Sequence, residues 1–254
     1  MTSLAFPRGE VRFVDCIEGM KELPDKSFDI GFADPPFNIN LETNPNHGRV
    51  FYRVREGAEF YDDLMARESY VGWCATWLQE MRRACVKTFI YCGNVNLPAF
   101  YSIAEPLDQL AYFMKFNTIT TATAWAGRYR VVLIYADSKK PFCGAPKGQN
   151  NKFDSNIIVK TGRFDASERA MRAKLIHPCP IDKELEAEII RQMKPSSMLD
   201  PFLGSGTTAE VCEESGVRWL GFEIKEEYAP DITMRANAGH NAFERRDGKQ
   251  QFLF

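Results

Sequence analysis

The sequence predicts an α/β fold, a largely parallel sheet covered by helices, and three observations carry that expectation. Segments of strand and helix character alternate along most of the chain. A glycine-bearing turn, Leu203-Gly204-Ser205-Gly206-Thr207, joins a strand to a helix near the carboxyl end. An acidic residue, Asp34, follows a short apolar run directly, where open α/β sheets present their ligand-binding groups.

Residues 10–14 alternate apolar and polar, which predicts a first strand ending at Asp15. A short helical turn separates it from a second, buried strand over 28–33. Between 69 and 85, Trp73, Trp77, Leu78, Met81 and Cys85 recur at helical spacing, so this helix packs one face on the sheet. Residues 86–92 read as the next strand, and 97–110 as a helix kinked or broken by Pro106. Strands follow over 111–116 and 130–136, and their succession predicts one antiparallel member near the sheet edge. Residues 141–156 form a polar, turn-rich loop. Asp182 is placed to cap a helix carrying Leu185, Ile189 and Met193. Strands over 196–200 and 217–223 flank the glycine turn and its helix.

At 254 residues the chain suits one domain with a core of its own. The start lacks a signal-peptide core and no apolar run is long enough to span a bilayer, which predicts a cytoplasmic protein. Seven scattered cysteines form no C-x-x-C pair, and three distant histidines form no local metal motif, so neither a disulfide framework nor a metal is expected. The net charge of −2 hides an uneven distribution: residues 128–174 hold eleven cations against four anions, +7, leaving −9 elsewhere. Such an excess suits phosphates, although a charge run also suits a solvated face. Its Gln149, Asn150 and Asn151 are of the types that pair with adenine in a groove. A second tract with Arg49, Arg53, Arg55 and Arg67 is balanced by Glu56, Glu59, Asp62 and Asp63 and suits a cover over a site.

Asp34-Pro35-Pro36-Phe37, followed by Asn38, places a carboxylate, a stiffened carbonyl and an aromatic face together. Pro36 has no N–H, which leaves the Pro35 carbonyl available to a ligand. A planar amino group has two hydrogens, one for Asp34 and one for that carbonyl, and Phe37 offers a stacking face for a base taken out of its duplex. The same residues also suit an ordinary turn. In the second motif, Gly204 and Gly206 permit close approach of a ligand to the backbone. Glu223, 17 residues beyond Gly206, is placed to accept hydrogen bonds from ribose hydroxyls. Taken alone, Gly204-x-Gly206-x-x-Ala209 also fits a nicotinamide-dependent dehydrogenase. Only 48 residues follow Gly206, too few for the strands such an enzyme needs after its glycine loop. A sheet encoded in permuted order accommodates both motifs.

Across most of its length the chain resembles the permuted, β group of DNA amino methyltransferases. The resemblance rests on Asp15-Cys16, Asp34-Pro35-Pro36-Phe37-Asn38, His177-Pro178, Asp200-Pro201-Phe202-Leu203-Gly204-Ser205-Gly206-Thr207 and Gly221-Phe222-Glu223. It implies a Rossmann-like methyltransferase fold, with a seven-stranded, mostly parallel sheet, one antiparallel strand and circularly permuted motif order. It implies S-adenosyl-L-methionine as methyl donor and double-stranded DNA as substrate, with base flipping. A cognate restriction endonuclease and a homodimer are partners that such enzymes have. By the same resemblance Asp34, Pro35, Pro36 and Phe37 are catalytic. Cofactor contacts fall to Asp15 (the adenine), Cys16, Asp34, His177, Pro178, Asp200, Phe202, Gly204, Ser205, Gly206, Thr207 and Glu223 (the ribose), and the turn over 202–207 holds the amino-acid end. A small DNA-recognition insertion is expected at about 137–176.

Two departures stand out. Where the family continues His-Pro with Thr-Gln-Lys-Pro, this chain has Cys179-Pro180-Ile181-Asp182 and lacks the lysine. The Lys-Pro-Gly-Gly turn before the strand over 86–92 is replaced by Val86-Lys87-Thr88, which predicts a tight connection. Asp at position 34 resembles adenine-modifying members, whereas many cytosine 4-amino enzymes carry Ser there. The expected activity is methylation of the adenine 6-amino group. Cytosine 4-amino methylation, an RNA substrate, or a catalytically idle DNA-binding module are the alternatives.

Overall fold

A computed structural model describes residues 2–39, 64–114, 129–136, 157–160 and 170–251. The loop over 141–156, the arginines at 49, 53 and 55, His47 and most of the 137–176 stretch lie outside them.

Nine strands form one sheet in the order β1-β2-β9-β8-β3-β4-β6-β5-β7. They are β1 (Thr2–Ala5), β2 (Gly9–Phe13), β3 (Phe28–Ala33), β4 (Cys85–Cys92), β5 (Asp108–Met114), β6 (Tyr129–Ala136), β7 (Ile157–Lys160), β8 (Ser197–Asp200) and β9 (Arg218–Glu223). β2, β9, β8, β3 and β4 run parallel. β6 is antiparallel to both β4 and β5, and β1 is antiparallel to β2. The sheet therefore exceeds the expected seven strands by β1 and β7, and two strands rather than one run against the rest. The motif order is permuted as expected, because the strands of the Asp34 half precede the glycine turn in sequence.

Helices cover both faces. On one side lie α1 (Cys16–Lys21), α2 (Arg67–Ala84) and α3 (Leu97–Ile103); on the other lie α4 (Lys183–Met193), α5 (Thr207–Ser215) and α6 (Ala229–Gln251). Strand side chains divide between these layers with period two: Ile30 and Phe32 pack toward Leu185, Ile189 and Ile232, while Ala33 packs with Met20, Trp77 and Met81. α2 passes straight into β4 at Cys85, the tight connection predicted from the missing glycines. The helix expected over 97–110 stops at Ile103, and Asp108 opens β5 instead. Pro106 forbids continuation, and the residues after it find partners in β6. Among the described residues no helix is long and apolar enough to cross a membrane.

Candidate active site

The four adjacent parallel strands β2, β9, β8 and β3 each end in an acid or deliver one just beyond: Asp15, Glu223, Asp200 and Asp34. Register sets their relative height. Leu199 pairs with Gly31, so Asp200 stands one residue past that pair and Asp34 three. All four carboxyls line a single cavity of about 570 Å³, within the range of small-molecule sites.

The loop after β3 is held from three directions. The Tyr70 hydroxyl donates to the Pro36 carbonyl at 2.9 Å, and Asn96 Nδ2 donates to the Phe37 carbonyl at 2.7 Å. Asn38, at φ 55°, exchanges hydrogen bonds with the Met65 backbone. The Pro35 carbonyl has no donor among the described residues, and the Phe37 ring lies 6.2 Å from that of Tyr91. Asp34 is half-buried in the cavity wall. Burial pushes its carboxyl up to about 8, Asp200 adds to the rise and Arg130 opposes it.

The glycine turn joins β8 to α5. Gly204 has φ 51° and its N–H donates to Glu223 Oε2 at 2.8 Å; Glu223 Oε1 accepts from Lys225 N at 2.8 Å. A Cβ on Gly204 would stand 2.9 Å from His177 Nε2. His177 Nδ1 accepts the Cys179 N–H, which assigns its ring proton to Nε2, and burial followed by Arg235 and Lys225 holds it neutral, down to about 3. Gly206, at φ 84°, turns its Cα toward Ile232 of α6 and does not line the cavity. The turn needs that glycine for its conformation and for close packing of α6. Asp200 Oδ1 accepts the Phe202 N–H at 2.8 Å, while Oδ2 accepts the Thr208 hydroxyl; burial pushes this carboxyl up to about 7. Below the turn, buried Arg235 donates to Ser205 Oγ and Glu210, fixing the loop from the α6 side.

Of the residues singled out from sequence, Asp15, Cys16, Asp34, Pro35, Pro36, Phe37, His177, Asp200, Phe202, Gly204, Ser205, Thr207 and Glu223 line the cavity. Pro178 is buried behind it, and Gly206 faces α6. Asp15 Oδ1 caps α1 by accepting from Ile17 and Glu18 N–H groups. Asp182 stands at the N-cap of α4 but makes no side-chain cap bond; it receives Arg172 Nη2 at 2.8 Å and the Tyr112 hydroxyl at 3.1 Å. Arg172 also donates to the Pro180 and Ile181 carbonyls, so it grips the turn from which the lysine is missing. Glu186, Tyr91, Arg130 and Arg172 line the cavity without having been anticipated. Glu186 had a signal, since it shares the buried α4 face with Ile190 and Met193 at helical spacing, where an unpaired acid is out of place.

The residues fit S-adenosylmethionine. The cavity is lined by six acidic residues, which offer acceptors to an ammonium and to ribose hydroxyls, and Glu186 Oε2, Thr207 Oγ1 and the Tyr228 hydroxyl are buried there without hydrogen-bond partners among the described residues.

Comparison with known proteins gives a consistent answer. A family model described as DNA methylase, covering N6 and N4 methyltransferases, matches residues 28–234. Type II methyltransferase M.ScaI of Streptomyces caespitosus is 24% identical over 84% of this chain and 76% of its own length. M.HinfI of Haemophilus influenzae is 24% identical over 84% of this chain, and M.BamHI of Bacillus amyloliquefaciens 26% over 83%. The matches span 64% and 53% of those two relatives. Among solved structures, the PvuII cytosine-N4-specific DNA methyltransferase superposes with a TM-score of 0.66 at 15% identity, covering 94% of this chain and 92% of its own. The M1.HpyAVI–SAM complex gives 0.57 at 17%, covering 90% of this chain and all of its own. These structural likenesses are of fold. With 28–234 matched, the chain belongs to the DNA methylase family of N6 and N4 amino methyltransferases, whose methyl donor is S-adenosylmethionine.

Proposed function

We propose that the protein methylates the 6-amino group of adenine within a specific sequence of double-stranded DNA. One observation carries this reading. Asp34, the Pro35 carbonyl with no donor among the described residues, and the Phe37 ring share one cavity with the glycine turn, 170 positions away in sequence.

The bound donor supplies an electrophilic methyl group. The chain supplies acceptors for both hydrogens of the base's amino group, on Asp34 and on the Pro35 carbonyl. Those bonds favour a pyramidal nitrogen, free its lone pair from the ring, and stabilise the positive charge that develops there. The N–C bond forms as the S–C bond breaks, and the surplus proton leaves the nitrogen toward Asp34 or water. Asp34 need not be a strong base, because the methylated nitrogen is far more acidic than the original amine. The Tyr70 and Asn96 hydrogen bonds hold the loop in place before the base arrives, so positioning contributes a large share of the acceleration. Phe37 stacks on the extruded base. Arg130, from the basic stretch, lines the same cavity and adds positive charge for the nucleic-acid backbone. The acid at position 34 supports adenine over cytosine.

Incubation with labelled donor and separate DNA and RNA pools, followed by mass spectrometry of the nucleosides, tests the assignment. N6-methyldeoxyadenosine is expected. N4-methyldeoxycytidine would move the target to cytosine, label in RNA alone would replace the substrate, and no transfer would favour the idle module.

A further inference from the structure

Glu186 takes no part in the chemistry above, yet its position asks for a ligand. It sits in the first half of α4, 1% exposed, and lines the cavity beside Asp200 and Thr208. The Thr208 hydroxyl, which donates to Asp200, also contacts this carboxyl. Glu186 Oε2 has no hydrogen-bond partner among the described residues. A buried carboxylate oxygen without a donor is costly, and native interiors seldom leave one so.

Four of the other acids of the cavity already have donors, and the fifth, Asp34, is assigned to the base. Asp200 is engaged at both oxygens, by Phe202 N–H and Thr208. Glu223 is engaged at both, by Gly204 and Lys225 N–H groups. Asp182 holds Arg172 and Tyr112, Asp15 caps α1, and Asp34 is committed to the base. Glu186 contacts Thr208, and the preceding residue, Thr207, lines the same cavity with an Oγ1 that likewise has no partner among the described residues and is a donor suited to a carboxylate. An acceptor carboxyl and a donor hydroxyl in one cavity match the two charged groups of an α-amino acid.

We propose that Glu186 Oε2 accepts the α-ammonium group of S-adenosylmethionine, an assignment that rests on the methyl-donor reading of the cavity. The contact supplies a donor to an oxygen that otherwise has none among the described residues. It also supplies, from α4, a charged anchor for the amino-acid end in a chain whose turn over 179–182 lacks the family's lysine. Burial, with Asp200 adding to it, pushes the free Glu186 carboxyl up to about 8, so at pH 7 it enters the reaction largely protonated and releases its proton to solvent as the ammonium docks.

Calorimetric titration with S-adenosylhomocysteine, which keeps the ammonium, and with its desamino analogue, in buffers of different ionisation enthalpy, tests this. Wild-type protein is expected to bind the former at least tenfold more tightly than the latter, releasing close to one proton at pH 7 with the former only. Glu186→Gln, which keeps the volume, is expected to bind S-adenosylhomocysteine about tenfold or more weakly, to leave the desamino analogue unaffected, and to release no proton. Equal affinity of wild type and Glu186→Gln for S-adenosylhomocysteine, or equal weakening for both ligands, would overturn the proposal. Equal affinity of wild type for the two ligands would overturn the proposal even where the variant does not fold. No binding of S-adenosylhomocysteine by wild type would instead refute the methyl-donor reading itself, and the proposal with it.

Discussion

Asp34 and Asp200 end neighbouring parallel strands, and both carboxyls face the same cavity, where the charge of Asp200 raises the cost of ionising Asp34. With Glu186 they make three acids held at about 8, about 7 and about 8, against ordinary values of 3.8, 3.8 and 4.5. A group raised in this way stabilises the fold fully below its ordinary value, and that contribution is lost as pH climbs through the folded value. His177 has the opposite sign: held down to about 3, its contribution is present above 6.5 and lost as pH falls. Between pH 6.5 and 8 the three acids therefore set the slope among these groups. The melting temperature of the ligand-free protein is expected to fall by a few degrees across that window, less in Glu186→Gln. A rise with pH would show that these carboxyls are ionised in the folded state.

The two glycines of the turn separate by experiment. A methyl group at 204 meets the His177 ring, a side chain that lines the cavity as Gly204 does; one at 206 meets the Ile232 backbone at 2.9 Å. Gly204→Ala is expected to weaken donor binding tenfold or more with a modest loss of stability. Gly206→Ala is expected to lower stability by about 2 kcal/mol or more, since both φ and the packing oppose it. Melting curves paired with donor titrations distinguish them, and the reverse pattern would misplace the cavity.

Asn96 holds the Phe37 carbonyl and meets the Tyr70 hydroxyl at 3.2 Å, and is itself buried. Replacing it by Leu leaves that carbonyl without its donor and frees the loop that carries Asp34. Single-turnover methylation is expected to slow about tenfold or more while donor affinity changes little. Equal losses in both would mean that Asn96 supports the whole cavity rather than the loop.

Arg172 joins residues 180–182 to the sheet through Asp182 and Tyr112. Arg172→Ala removes three donors and leaves a buried carboxylate uncompensated, a loss of about 3 kcal/mol. Arg172→Lys is expected to recover only part, because one ammonium cannot reproduce the forked contacts. Full recovery with lysine in denaturant melts would reduce the role to charge.

Strand ends that deliver chemistry were legible because their physics is local. Buried runs such as 28–33 stand out by composition, and Asp34 and Asp200 stand out as acids directly after them. β1 was not legible: it is an edge strand, mostly exposed, whose identity comes from pairing with β2. The start of β5, with Asp108 and Gln109, has no strand pattern and is defined by β6. Gly206 meets a demand that the motif does not separate from ligand contact: the turn's φ of 84° and the close packing of α6. Arg235 and Glu210, buried together beneath Ser205, read as surface charges in a linear chain and become a support only when α5 and α6 meet.

The central claim is that Asp34 and the glycine turn build one crevice in which the amino group meets the methyl donor. Single-turnover methylation of a duplex substrate by Asp34→Ala, measured beside its affinity for S-adenosylhomocysteine, tests it most directly. Transfer slowed at least about 100-fold is expected, with ligand affinity within a few-fold of wild type and stability unchanged or higher, because a half-buried carboxyl with no donor among the described residues has been removed. Transfer at the wild-type rate by a folded, ligand-binding Asp34→Ala protein would contradict it.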